Sequence, residues 1–168
     1  FVLGNFSVTH NTVFAIKLAT KLNIKTLIIV HKEFLLNQWK ERIQQFTNSE
    51  IGTIQGKTID IEGKDFVIGM LQSLSKKDYP KDTFKQFGFL IVDECHCIAT
   101  EGFSKALSKV IIPYNLGLSA TPERKDGLSK VFKWNLGDII YQHIIEREAK
   151  VQIYFYQNTE VTKKYDYR

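Results

Sequence analysis

Residues 89–100 read FLIVDECHCIAT: four apolar residues, Phe89, Leu90, Ile91 and Val92, run directly into Asp93 and Glu94. A short apolar run bounded by polar residues fits a strand buried on both faces. Carboxylates at the end of such a strand are held at a fixed place on a sheet edge. There an aspartate can hold Mg²⁺, usually through water, and the adjacent carboxylate can orient or deprotonate an attacking water. The plainer alternative is a strand end meeting solvent, with Glu94 capping the next segment. Cys95, His96 and Cys97 follow and raise the question of a zinc site. Structural zinc takes four ligands, and here the CxxC spacing and a second cysteine pair are both absent.

The elements that must position these groups can be read from the flanking pattern. In TVFAIKLATKL (12–22), Ala15, Leu18, Ala19 and Leu22 share one helical face. TLIIV (26–30) is an apolar run of strand length. In EFLLNQWKERIQQF (33–46), Leu36, Trp39, Ile43 and Phe46 follow the spacing of an amphipathic helix, with Trp39 in its core stripe rather than offered for base stacking. Strands are expected at 51–55, 65–70 and 87–94, then a helix near 103–111 and a strand at YNLGLSA (114–120). A short helix near 127–133 and strands near 138–141 and 151–156 complete the pattern. Apolar strands separated by helices predict a parallel sheet covered on both faces, with ligands gathering at the carboxyl ends of its strands.

The 168 residues suffice for one domain with a sizeable core, and 43% hydrophobic with 24% charged is ordinary for a globular protein. A net charge of +5 mildly favours an acidic partner such as nucleic acid. No run of 18 apolar residues occurs, so no membrane-spanning helix is expected. The first ten residues lack the features of a signal peptide, and the two neighbouring cysteines are poor disulfide partners. The chain therefore reads as intracellular: nuclear or, for a viral protein, cytoplasmic or virion-associated.

Four segments together carry a resemblance. Asp93-Glu94-Cys95-His96 resembles the DExH box, the Walker B element of superfamily 2 helicases and translocases. LSATPERKDG (118–127) resembles their SAT motif, with the SATPxRxDG extension of the XPB/Rad25-like branch of DNA helicases and its viral relatives. KTLIIVHKEFLLNQWKERI (25–43) is similar to motif Ia of that branch, including its QW pair. DFVIGMLQSL (65–74) is similar to the next nucleic-acid-contacting motif. The resemblance implies a first RecA-like domain of the P-loop nucleotide-hydrolase type, amino-terminally incomplete, that uses ATP and Mg²⁺. It gives Asp93 to Mg²⁺, Glu94 to the hydrolytic water, and His96 to relaying the γ-phosphate state. Ser119, Ala120 and Thr121 would couple hydrolysis to strand movement, and ordinary turn polarity is the plainer reading of that tripeptide.

His31 and Lys32, and Gln72 and Ser73 after the following strand, stand at strand-to-helix junctions suited to backbone phosphates. Such contacts imply sequence-independent binding of single-stranded or duplex DNA, although capping and solvated surface explain the same residues. Upstream the pattern departs from the family. The Walker A loop, GxxxxGK[ST], would fall on Asn5 to Thr12, with Asn5 and His10 where glycines belong and Asn11 where the lysine belongs. Only Thr12, the Mg²⁺ ligand of the motif, is kept. The expected organisation is an aberrant phosphate-loop region at 1–12 and a RecA-like ATP-binding domain at 13–145. The start of a connection to a second RecA-like domain, in this or a separate chain, is expected at 146–168. The implied function is the ATP-binding half of a DNA helicase or translocase, impaired in this chain. The rival is a non-catalytic nucleic-acid-binding or scaffolding module.

Overall fold

The computed structural model describes residues 7–80, 82–95, 101–119 and 134–141. Four helices and six strands follow in the order α1 (Ser7–Leu22), β1 (Thr26–Val30), α2 (Glu33–Phe46), β2 (Ile51–Gln55), β3 (Thr58–Asp60), β4 (Phe66–Met70), α3 (Leu71–Lys76), β5 (Phe89–Val92), α4 (Glu101–Lys109) and β6 (Tyr114–Gly117). The strands form one sheet in the order β3-β2-β4-β1-β5-β6. All neighbours are parallel except β2 and β3. The sheet is thus mixed, with one antiparallel strand at its edge.

Burial explains the order. β1, β4 and β5 are buried along their whole length and occupy the centre. Their side chains alternate between two cores, as the twofold period of a strand requires. Leu27, Ile29, Val67, Leu90 and Val92 meet Leu74 of α3 and Phe103 and Ala106 of α4. Ile28, Val30, Ile68 and Ile91 meet Ala15, Ile16 and Ala19 of α1 and Leu36, Trp39 and Ile43 of α2. β3 lies wholly exposed and is joined to β2 by the two-residue turn Gly56-Lys57. Gly56 has φ 55°, a left-handed conformation that suits glycine at the first position of a type II′ turn.

Several expectations shift. The helix expected from residue 12 begins at Ser7, so the described part of the expected phosphate loop is helical. Nothing in SVTHNT stops it, because the stretch has neither glycine nor proline. Ile16 is buried at 1% exposure, whereas Leu22 at 41% and Phe46 at 49% lie outside the core. Both sit on the last turn of their helix, at the limit of what the sheet covers. Residues 138–141 are not a strand, and Ile139, Ile140 and Tyr141 are exposed. The helix expected near 127–133 and the strand near 151–156 lie outside the described residues. Among the described residues no helix is long and apolar enough to cross a membrane.

Candidate nucleotide and nucleic-acid site

Parallel pairing brings the chemistry-bearing residues to one end of the sheet. Val92 is in register with Gly117, so Asp93 and Ser119 follow the carboxyl ends of neighbouring strands. Backbone hydrogen bonds carry the ladder beyond the strands. The N–H of Asp93 donates to Ile29 O at 3.0 Å, that of Leu118 to Val92 O at 2.9 Å, and that of Cys95 to Leu118 O at 2.8 Å. Gly117 lets Cys95 approach: a Cβ there would stand 3.2 Å from Cys95 Sγ and 2.9 Å from Leu136 Cδ1.

Asp93 is 7% exposed and is the one carboxylate among the buried described residues. An ionised carboxylate survives burial only where donors replace its lost water. Trp39 Nε1–H donates to Oδ2 at 2.8 Å, and the backbone N–H of Glu94 donates to Oδ1 at 3.0 Å. Glu94 has φ 49°, a left-handed conformation costing a residue with a Cβ about 1–2 kcal/mol. The surroundings hold it there, and such outliers concentrate at functional sites.

Thr12 comes to the same end of the sheet by topology. α1 leads through Asn23 into β1, so its amino-terminal half lies toward the carboxyl end of that strand. Thr12 is buried at 2% exposure, on the same helical face as Ala15, Ile16 and Ala19. Asn11 is half-buried beside it, and His10 lies within the same helix. His96, Ala120 and Thr121 lie outside the described residues.

The residues present suit Mg²⁺ better than they suit phosphates. A carboxylate has about four lone-pair sites, and N–H donors from Trp39 and Glu94 aim that of Asp93. Mg²⁺ keeps several waters and takes one or two carboxylates, which matches a recessed Asp93. A phosphate loop needs successive backbone N–H groups turned toward the ligand. In α1 those from Asn11 onward belong to the helix's own i→i−4 hydrogen bonds. The phosphate cradle and its lysine are both missing from the described residues of this segment.

The junctions expected to meet nucleic acid form one connected edge. Lys32, exposed, precedes α2, and Gln72 and Ser73 stand in the first turn of α3. Gln72 Nε2 donates to the His31 carbonyl at 2.8 Å, and the Gly56 N–H donates to Ser73 Oγ at 2.9 Å. Lys77 Nζ also donates to the Gly56 carbonyl. Three loops, after β1, β2 and β4, are thereby tied together. This brings in Lys57 of the β2–β3 turn, which spacing alone did not single out.

A sheet of this order, with an acidic pair after β5 and the SA step after β6, defines a RecA-like helicase domain of superfamily 2. Over residues 9–124 the chain matches the family described as the type III restriction enzyme res subunit, and it belongs to that family. The match begins three residues ahead of Thr12. The chain is 38% identical over 149 residues to a protein of Acanthamoeba polyphaga mimivirus named as an ATP-dependent RNA helicase, covering 86% of this chain and 28% of that one. It is 32% identical over 160 residues to the DNA 3′-5′ translocase XPB2 of Sulfurisphaera tokodaii, covering 90% of this chain and 36% of that one. The UvsW helicase of bacteriophage T4 superposes with a TM-score of 0.56 at 27% identity, over 73% of this chain and 47% of that one. The chain thus spans about a third of the length of the two sequence relatives.

Proposed function

We propose that this chain is the nucleotide-facing half of an ATP-dependent DNA helicase or translocase, with its own phosphate site impaired. The observation that carries the reading is the placement of Asp93-Glu94 beside Ser119 at neighbouring strand ends. Asp93 and Thr12 would hold Mg²⁺, which when bound supplies charge neutralisation at the β- and γ-phosphates. Glu94 would orient the attacking water and accept its proton, and His96 with the 119–121 segment would pass the outcome toward the bound strand. Lys32, His31, Gln72 and Ser73 would meet backbone phosphates without reading sequence. The name of the archaeal relative favours DNA, whereas that of the mimivirus relative names RNA.

The helical run at 7–12 favours a second reading, in which the chain binds nucleic acid without hydrolysing ATP. Calorimetry with Mg-ATP separates the two. The chain as it stands is expected to show no binding at micromolar nucleotide, because losing the charge-assisted lysine contact alone costs about 1.5–3 kcal/mol. The double substitution His10→Gly, Asn11→Lys restores the glycine and the lysine and is expected to tighten binding about tenfold or more. Micromolar binding by the unmodified chain overturns the impaired-site account. No gain on restoration favours the non-catalytic module.

A further inference from the structure

The indole of Trp39 does more than fill the core. The apolar stripe of α2 also comprises Leu35, Leu36 and Ile43, and any large apolar side chain at position 39 would continue it. An indole brings one N–H, which costs about 1–3 kcal/mol if buried without an acceptor. At 1% exposure, Trp39 delivers that N–H to the buried carboxylate of Asp93, 54 residues away in sequence. With Glu94 N–H on Oδ1 and the indole on Oδ2, rotation of the carboxylate would break at least one charge-assisted hydrogen bond. α2 is also the helix that opens directly after His31-Lys32, and Trp39 stands about 9 Å along it from Glu33.

We propose that Trp39 is a positioning residue for Asp93: its indole N–H fixes the carboxylate orientation toward Mg²⁺ and ties that orientation to the helix following the strand-binding junction. The proposal rests on the reading of Asp93 as the metal-facing carboxylate. Partners that orient a metal's ligands typically contribute about 10–100-fold to its affinity. The same range applies to loss of the indole donor.

The test uses the full chain carrying Trp134→Phe, which removes the 81%-exposed second indole and leaves Trp39 alone in a ¹⁵N indole spectrum. Mn²⁺ alone is the probe, titrated while the Trp39 indole resonance is followed for paramagnetic broadening. Broadening is expected in this background and is expected to disappear with Asp93→Asn. Replacing Trp39 by benzothienylalanine keeps the ring shape and removes the N–H. Mn²⁺ affinity, read by electron paramagnetic resonance, should then fall about tenfold or more while the protein stays folded at the titration temperature, its melting temperature lowered by the lost hydrogen bond. Trp39→Phe serves as a second donor-free variant and should weaken Mn²⁺ in the same direction. Equal Mn²⁺ affinity with and without the indole N–H overturns the positioning role and leaves the metal reading of Asp93 intact. Mn²⁺ broadening that survives Asp93→Asn, or no Mn²⁺ binding at all, overturns the metal reading and this proposal with it.

Discussion

The two ends of the candidate nucleotide site are built on different supports. Asp93 follows the interior strand β5 and Ser119 the edge strand β6 beside it, and the backbone there is tied by hydrogen bonds from Asp93 to Ile29 and from Leu118 to Val92. At the other end, residues 7–12 are the opening turns of a helix that packs on the sheet through Ala15, Ile16 and Ala19. The acidic end cannot be altered without disturbing the core. The phosphate end can lose its glycines and lysine while α1 keeps packing on the sheet. The packing of α1 on the sheet therefore does not depend on a glycine at position 10 or a lysine at position 11.

The sharpest way to break this contrast is a core deletion beneath the acidic end. Ile91→Ala, at a fully buried position two residues before Asp93, should lower stability by about 2–5 kcal/mol in urea unfolding. Asn11→Ala, in α1 at the position of the missing lysine, should change it by less than about 1 kcal/mol, because alanine favours the helix. Comparable losses for the two would erase the distinction.

Asp93→Asn comes next in size. An amide presents one oxygen and one N–H₂ group where the carboxylate accepts from both the indole and the Glu94 N–H. A cost of about 1–3 kcal/mol is expected, measured as a shift of the thermal or urea midpoint. A variant as stable as the parent would show that these donors do not hold the carboxylate.

Tyr79, beside Ser73, offers a smaller, pH-dependent effect. Its hydroxyl donates to the Ser73 carbonyl at 3.1 Å, and burial raises its pKa above the ordinary 10.0. The folded state therefore keeps a proton that the unfolded chain releases. This contribution is fully present below pH 10 and is lost as pH rises from there through the higher folded value. Tyr79→Phe should cost about 0.5–1.5 kcal/mol at neutral pH and flatten that alkaline decline in urea midpoints. An unchanged alkaline slope would remove Tyr79 as its source.

The smallest expected effect is on nucleic-acid binding. Lys32→Ala should weaken every DNA sequence about equally and reduce the salt slope of binding by about one, as read by fluorescence anisotropy across a salt series. A sequence-dependent loss would place Lys32 against base edges instead of phosphates.

The central strands were legible because TLIIV, FVIGM and FLIV are continuous apolar runs, and continuous runs occur where both faces are covered. The adjacency of Asp93 and Ser119 followed from parallel order. β3 carried no such signal, since Thr58, Ile59 and Asp60 are all exposed and an edge strand needs no apolar face. α3 spans six residues, too few for a helical period to show. Ile139-Ile140-Tyr141 read as a strand yet is exposed, because composition alone does not supply a neighbour to pair with. Trp39 was legible as core through its spacing. Its polar role was hidden, because the acceptor lies on another element and only folding brings the two together.

The ties among the loops after β1, β2 and β4 have a mechanical consequence. Gln72 to His31, Ser73 to Gly56 and Lys77 to Gly56 join three anchorage points at the same end of three adjacent strands. Tension applied at any one of these loops along the strand axis is shared by all three. It acts on the central ladders lengthwise, in shear, so that several hydrogen bonds must yield together instead of one after another. A pull from the β3 edge would instead peel a three-residue strand from its neighbour one bond at a time. The domain is stiff along its strand axis and compliant at its rim.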